Sequence, residues 1–305
     1  MKERLLLERE PGHLFCFGLG FTATRLAKRL LSLGWKVSGT SRRLENAVRF
    51  ESLGITAYIF DGSAPIANAS DVFSDVTHLI SSVPPGDNGE DVLFWHKKDL
   101  GAAPLLDWVT YLSTPAVYGD KKGETAYETD RPKPTSIRGQ RRLAAELAWG
   151  KAMSGTDISF QIMRLAGIYG PGRNIIEQIV SGRARIIEKP GQVFNRIHVD
   201  DIGTILIASM LRPCDGRVYN VADNEACPSG DVVRFACELL KIEPPKPIDF
   251  EAANLSDMAR SFYGECKVLA TTRLKDELLV QLQYPTYREG LRNILENKQY
   301  TSEKC

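Results

Sequence analysis

With 305 residues, the chain is long enough for one large domain, or for a main domain with a smaller lobe. Hydrophobic residues at 43%, charged residues at 25% and a formal net charge of +1 are ordinary globular values, and they argue against nucleic acid or an anionic membrane as the main partner. No apolar run reaches the ~18 residues of a membrane span, and the leader MKERLLLEREPGHLF lacks the longer apolar core and cleavage site of a secretory signal.

The six cysteines form no CxxC pair and no metal-like spacing, so a reduced, cytoplasmic protein without a metal centre is expected. In chain order, HLFCFG at 13–18 reads as a buried strand, with Cys16 as a small core hydrophobe. Residues 21–33 follow with helical periodicity, Leu26, Leu30 and Leu33 on one side, and Gly34 ends the helix. WKVSGT is a second strand, 42–52 a helix, ITAYIF a third strand and THLISSV a fourth. A short helix over 90–100, the strand LLDWVTYLST, a long helix over 136–153 and a sixth strand in ISFQIMRLAGIYG complete the alternation.

Such alternation predicts a parallel sheet covered on both faces, hence a Rossmann-type doubly wound α/β fold. Proline-punctuated sequence follows Gly170, with helices expected near 173–182, 201–211, 229–241 and 287–296. The expected division is a Rossmann domain over 12–170 and a smaller C-terminal substrate-side lobe over 171–300, with segments in about 195–222 returning to the first.

Gly18-Leu19-Gly20-Phe21-Thr22-Ala23 is GxGxxA, placed between a strand and a helix. Gly18 permits the tight turn, Gly20 lets backbone approach a pyrophosphate, and Ala23 keeps the helix close to the strand. The helix N-terminus, at Phe21 and Thr22, then offers free N–H groups to phosphates. Ligand-free, the same residues make only a tight strand–helix turn. An acidic residue ~20 positions after the first glycine would bind free ribose hydroxyls, but here the stretch is Ser38-Gly39-Thr40-Ser41-Arg42-Arg43. Arg42, with Ser41, suits a ribose phosphate, so NADP is the preferred cofactor and NAD the alternative. Solvated arginines of a helix's first turn are the competing reading. Asp61 is a candidate both for an adenine contact and for capping the next turn, and Ser82 ends the fourth strand where open sheets bind ligands.

With these motifs in view, the chain resembles the extended short-chain dehydrogenase/reductase superfamily, the NAD(P)-dependent epimerases and dehydratases. GLGFTA is similar to its glycine motif, YLSTPAVYG at 111–119 to its Ser/Thr loop, RLAGIYGPGR at 164–173 to the segment after the sixth strand, and RIHVDDI at 196–202 to its hVdD motif. YPTYREGL at 284–291 resembles the tail of a compact atypical subgroup.

The resemblance implies a small-molecule substrate and a YxxxK pair that moves a proton and holds the nicotinamide ribose. Here Arg138 occupies the Tyr position and Arg142 the Lys position, with Glu146 following. A guanidinium is a very poor proton carrier, although Arg142 can hold a ribose or phosphate. Thr114 matches the Ser/Thr position. Tyr118 is the foremost candidate for a surrogate acid. Tyr169 also precedes a glycine near the cleft. His198 is a weaker candidate, because the resemblance makes its segment structural, with Asp201 capping the next helix.

Arg138 and Arg142, at i, i+4, share a helix face: a solvated stripe, or an anion-friendly pocket to which Arg164, Arg173 and Arg196 add. Arg164 equally suits a core-edge arginine paired with an acid. Superfamily members often dimerise through helices flanking the sheet, but the segment from Pro84 to Leu105 is short, so monomer and homodimer both stand. The leading expectation is an NAD(P)-dependent oxidoreductase or epimerase/dehydratase-like enzyme acting on a small polar substrate, anionic ones included. The alternative is a non-catalytic NADP(H) sensor or regulatory protein.

Overall fold

The computed structural model describes residues 10–87 and 89–302, and most of the leader lies outside them. The main sheet is built from β1 (His13–Phe17), β2 (Lys36–Ser41), β3 (Thr56–Ile59), β4 (His78–Ser81), β5 (Trp108–Ser113), β6 (Ser159–Leu165) and β7 (Arg217–Val221). Every pairing is parallel, and the order is β7-β6-β5-β4-β1-β2-β3. The order reverses between β1 and β4, which places a ligand crevice outside their C-terminal ends. The fold is the doubly wound α/β class read from the sequence.

Successive strand residues point to opposite faces, and β1 shows the result. Leu14 and Cys16 join one core beneath α1 (Phe21–Ser32), which also holds Leu26, Leu30 and Ile205. Phe15 and Phe17 enter the other, against Phe73, Leu79, Val109 and Trp149. The two phenylalanine rings lie 4.9 Å apart edge-on, and burying each contributes roughly 1.5–3 kcal/mol. Burial pushes the Cys16 thiol up to about 12, so it stays neutral.

α2 (Leu44–Glu51) follows β2, starting two residues later than the expected 42. α3 (Asp91–Gly101) and α4 (Ile137–Met153) cover the second face. α5 (Val199–Leu211) packs beside α1, where Arg25 donates to both Asp200 oxygens at 2.6 and 3.1 Å. The remaining chain forms a smaller lobe. There Tyr169, Ile176, Phe235 and Leu291 share a core with α6 (Ser229–Leu240) and α7 (Tyr287–Ser302). The short strand Gly167–Tyr169 pairs with Arg196–His198, and Thr125–Ala126 pairs with Val268–Leu269, tying this half back to the sheet edge.

One local expectation is corrected. Asp201 does not cap α5: its carboxylate accepts from the backbone N–H groups of Gln283 and Tyr284, at 2.7 and 3.0 Å. The cap is His198, whose Nδ1 accepts from the Asp200 N–H at 3.2 Å. The hVdD segment therefore fastens the YPTY tail to the sheet domain. Among the described residues no helix is long and apolar enough to cross a membrane, and no cluster of His, Cys, Asp and Glu is arranged to hold a metal.

Candidate functional site

The loop after β1 is held from both sides. Gly18 has φ +91°, and its N–H donates to Thr40 Oγ1 at 2.8 Å, while the Leu19 N–H donates to the Thr40 carbonyl at 2.8 Å. Just past β4, Ser82 Oγ donates to the carbonyls of Phe17 and Gly18 at 3.1 and 2.8 Å. A Cβ on Gly18 would stand 2.7 Å from that hydroxyl oxygen, so the turn admits only glycine.

Gly20 differs. Nothing lies within 4 Å of where its Cβ would be, and the α1 N-terminus has no side-chain cap. The result is an open cradle of backbone N–H groups at a helix start, which fits a pyrophosphate.

Two cavities meet at Gly20 and Ser82. One, of 540 Å³, is lined by Gly18, Gly20, Ser41, Arg42, Arg43, Asp61 and Ser82 among others. The second, of 620 Å³, is lined by Gly20, Phe21, Thr22, Thr114, Arg138 and Arg142, with residues of the C-terminal lobe opposite. All nine residues expected at the cofactor, namely Gly18, Gly20, Phe21, Thr22, Ser41, Arg42, Asp61, Ser82 and Arg142, thus line one continuous crevice at the switch point. Arg42 is exposed just before α2 and makes no ion pair among the described residues, while Arg43 holds the N-cap position. Asp61 keeps both of its candidate roles. Its Oδ1 accepts from the Ser63 N–H and hydroxyl at 2.9 and 2.6 Å, which holds the carboxyl below its usual range, and it still borders the cavity.

In the second cavity, Thr114 caps the turn Pro115–Tyr118, its oxygen accepting from Ala116 N–H at 3.4 Å. Ser136 caps α4, and two helical turns then carry Arg138 and Arg142 to the crevice. Arg142 is half-buried, and its Nη1 donates to the Tyr111 hydroxyl and the Leu112 carbonyl, each at 3.0 Å. Behind it Glu90 is buried, its carboxyl pushed up to about 7 by burial and opposed by the Arg142 charge. Arg138 stands at the cleft mouth with its guanidinium 5.5 Å over the Phe262 ring. Loss of water and the neighbouring Arg142 both lower its proton affinity.

Tyr118 does not reach the crevice, which corrects its expected place as a surrogate acid. It is 2% exposed, its hydroxyl donates to Asn220 Oδ1 at 2.7 Å, and its ring carries the Arg164 guanidinium at 4.6 Å. The tight turn Pro115–Tyr118 points it into the core rather than over the sheet edge. Arg164 is the paired core arginine of the two readings open to it: Nη2 and Nε meet the Glu146 carboxylate at 2.6 and 3.0 Å, both side chains being buried. His198 is buried, and burial pushes it down to about 4, so it is a neutral cap and no proton donor near neutrality.

Lys267, Glu265 and Asn195 also line the cleft, and no motif marked them. They arrive from loops far along the chain. Glu265 Oε1 accepts from the hydroxyls of Thr135 and Ser136, docking the distal lobe onto the start of α4.

This fold and crevice define a dinucleotide-binding α/β protein. Residues 18–222 match the model of the NAD dependent epimerase/dehydratase family, and the chain belongs to that family. Protein YeeZ of Escherichia coli K12 is 27% identical over 278 residues, covering 88% of this chain and 94% of YeeZ. A conserved protein of unknown function from Silicibacter pomeroyi DSS is 42% identical, with a TM-score of 0.85 over 94% of this chain and 99% of its own. The UDP-glucose 4-epimerase of Thermotoga maritima, solved with UDP-glucose, shares the fold at 17% identity, with a TM-score of 0.76 over 95% of this chain and 99% of that one.

Proposed function

We propose that the protein is an NADP(H)-dependent oxidoreductase or epimerase-like enzyme acting on a small polar, anionic substrate. The observation that carries this reading is the open space at Gly20, continuous with one cavity bordered by Arg42 and another bordered by Thr114, Arg138 and Arg142. The Gly18–Thr22 backbone holds the pyrophosphate. Arg42 meets a ribose phosphate with charge-assisted hydrogen bonds, which favours NADP over NAD. When bound, the cofactor supplies hydride chemistry.

The chain's residues orient and polarise. Thr114 donates its hydroxyl to a substrate oxygen, and Arg142, fixed by Tyr111 and Leu112, presents a permanent positive charge beside it. Neither is a general base at neutral pH, so solvent in the open cleft carries the proton.

A second reading, a sensor of NADP(H) without turnover, draws on the core position of Tyr118, which leaves the crevice without a phenol. The deciding experiment supplies NADPH deuterated at the transferable position together with a pool of small carbonyl acids and sugar phosphates. The enzyme reading predicts protein-dependent deuterium in a product, abolished by Gly20→Val. Binding of NADPH without any label transfer supports the sensor.

A further inference from the structure

Six ionisable side chains line the 620 Å³ cleft: Arg138, Arg142, Arg173, Arg196 and Lys267, against the single carboxylate of Glu265. Most of the positive groups are engaged. Lys267 Nζ meets Glu265 Oε2 at 2.7 Å. Arg142 is turned back onto Tyr111 and Leu112, with Glu90 acting on it. Arg196 donates to the carbonyls of Phe194 and Cys227 at 2.9 and 3.3 Å, and buried Asp223 acts on it from behind.

Arg138 and Arg173 differ in that neither a side-chain hydrogen bond nor an ion pair engages them among the described residues; like Arg142 and Arg196 they lie over aromatic rings, here Phe262 at 5.5 Å and Phe21 at 5.8 Å. An aromatic face orients a guanidinium without cancelling its charge. A cleft with an unbalanced positive lining concentrates anions, and the planar donor fork of arginine suits carboxylate and phosphate.

We propose that Arg138 and Arg173 form an oxyanion site that holds a carboxylate or phosphate of the substrate within this cleft. The proposal rests on the enzyme reading above and gives its substrate class: a small organic acid or a phosphorylated sugar, anchored by its anionic group beside Thr114. Arg138 is then a substrate-binding residue and not a stand-in proton donor. That resolves why a permanently charged side chain occupies the position where the resemblance implies a tyrosine. Phe262 and Phe21 serve as shelves that keep the two guanidinium planes in place.

The test is calorimetric titration of the NADPH-saturated protein with two probes, malonate and inorganic phosphate. At least one should bind saturably, and the tighter of the two identifies the anion as carboxylate or phosphate. Arg138→Gln should weaken that binding roughly ten- to a hundredfold, the worth of a charge-assisted contact, and Arg173→Gln should act in the same direction. NADPH affinity should be unchanged in Arg138→Gln. Arg138 is exposed on the first turn of α4, so its replacement removes no core contact. The proposal is overturned if neither probe binds, if Arg138→Gln binds the probe like the parent, or if the probe displaces NADPH, since the arginines would then belong to the cofactor site. Should NADPH itself fail to bind, the same probe titration on the ligand-free protein still decides the oxyanion site, while the enzyme reading falls on its own.

Discussion

Removing the Glu146 carboxylate should be among the most damaging single changes in this chain. Glu146 and Arg164 are 3% and 4% exposed, joined by two contacts of 2.6 and 3.0 Å, and Ser113 donates a third hydrogen bond to the carboxylate. The guanidinium lies over Tyr118, whose hydroxyl reaches Asn220, and Asn220 Nδ2 donates to the carbonyls of Ala126 and Ala270, each at 3.0 Å. One ion pair and the hydrogen bonds beyond it thus join α4, β6 and β7 with the backbone at Ala126 and Ala270. Glu146→Leu leaves a guanidinium buried without its counter-ion, a loss of about 3–5 kcal/mol out of a total of roughly 5–15. Arg164→Met strands the carboxylate at a similar cost. The double variant should be more stable than either single one, because both desolvation penalties vanish together. Urea unfolding at neutral pH reads all three, with the midpoint moving and the slope holding. Singles within about 0.5 kcal/mol of the parent, or a double equal to the sum of its parts, would refute the reasoning.

Glu90 should make stability fall as pH rises. Its folded-state pKa, raised to about 7, exceeds an unfolded value of about 4.3, so the folded form holds the extra proton, and the advantage of acid pH disappears between those values, an effect of about 4 kcal/mol. Glu90→Gln should roughly halve the fall in stability measured between pH 5 and pH 8, leaving a comparable contribution from Asp223, which burial also raises to about 7; an unchanged profile removes the argument. Arg42→Ala should weaken NADPH roughly ten- to a hundredfold and leave NADH nearly untouched, and equal loss for both would end the case for a ribose-phosphate contact. Tyr118→Phe should cost about 1–2 kcal/mol by leaving Asn220 short of a donor, with cofactor affinity unchanged; a selective loss of turnover in a stable variant would return Tyr118 to the chemistry.

That the glycine loop and the strand ends beside it line one crevice is legible in the sequence because the signals are local. Gly18 and Gly20 bracket a turn between a buried strand and a helix, and the order of a doubly wound sheet carries Ser41, Arg42, Asp61 and Ser82 to the same edge. In sequence, Thr40 reads only as part of a strand end. Its role in tying the loop depends on register with β1, where Cys16 faces Gly39, and a single sequence does not give register. The substrate half was harder. Whether Tyr118 points over the sheet or into the core depends on one tight turn. Ser136 and Glu265 meet across 129 positions with no pattern to announce it. Asp201 and His198 divide their duties by the path of a tail 82 residues away.

The claim on which the rest depends is that the Gly18–Thr22 cradle holds a nicotinamide dinucleotide. Fluorescence titration of the parent and Gly20→Val with NADPH and NADH tests it directly, because a Cβ at position 20 has no protein atom within 4 Å and projects into the open cradle. Saturable binding by the parent, tighter for NADPH, and its loss in Gly20→Val is the predicted result. Absence of binding for both cofactors, or a Gly20→Val variant that binds like the parent, contradicts it.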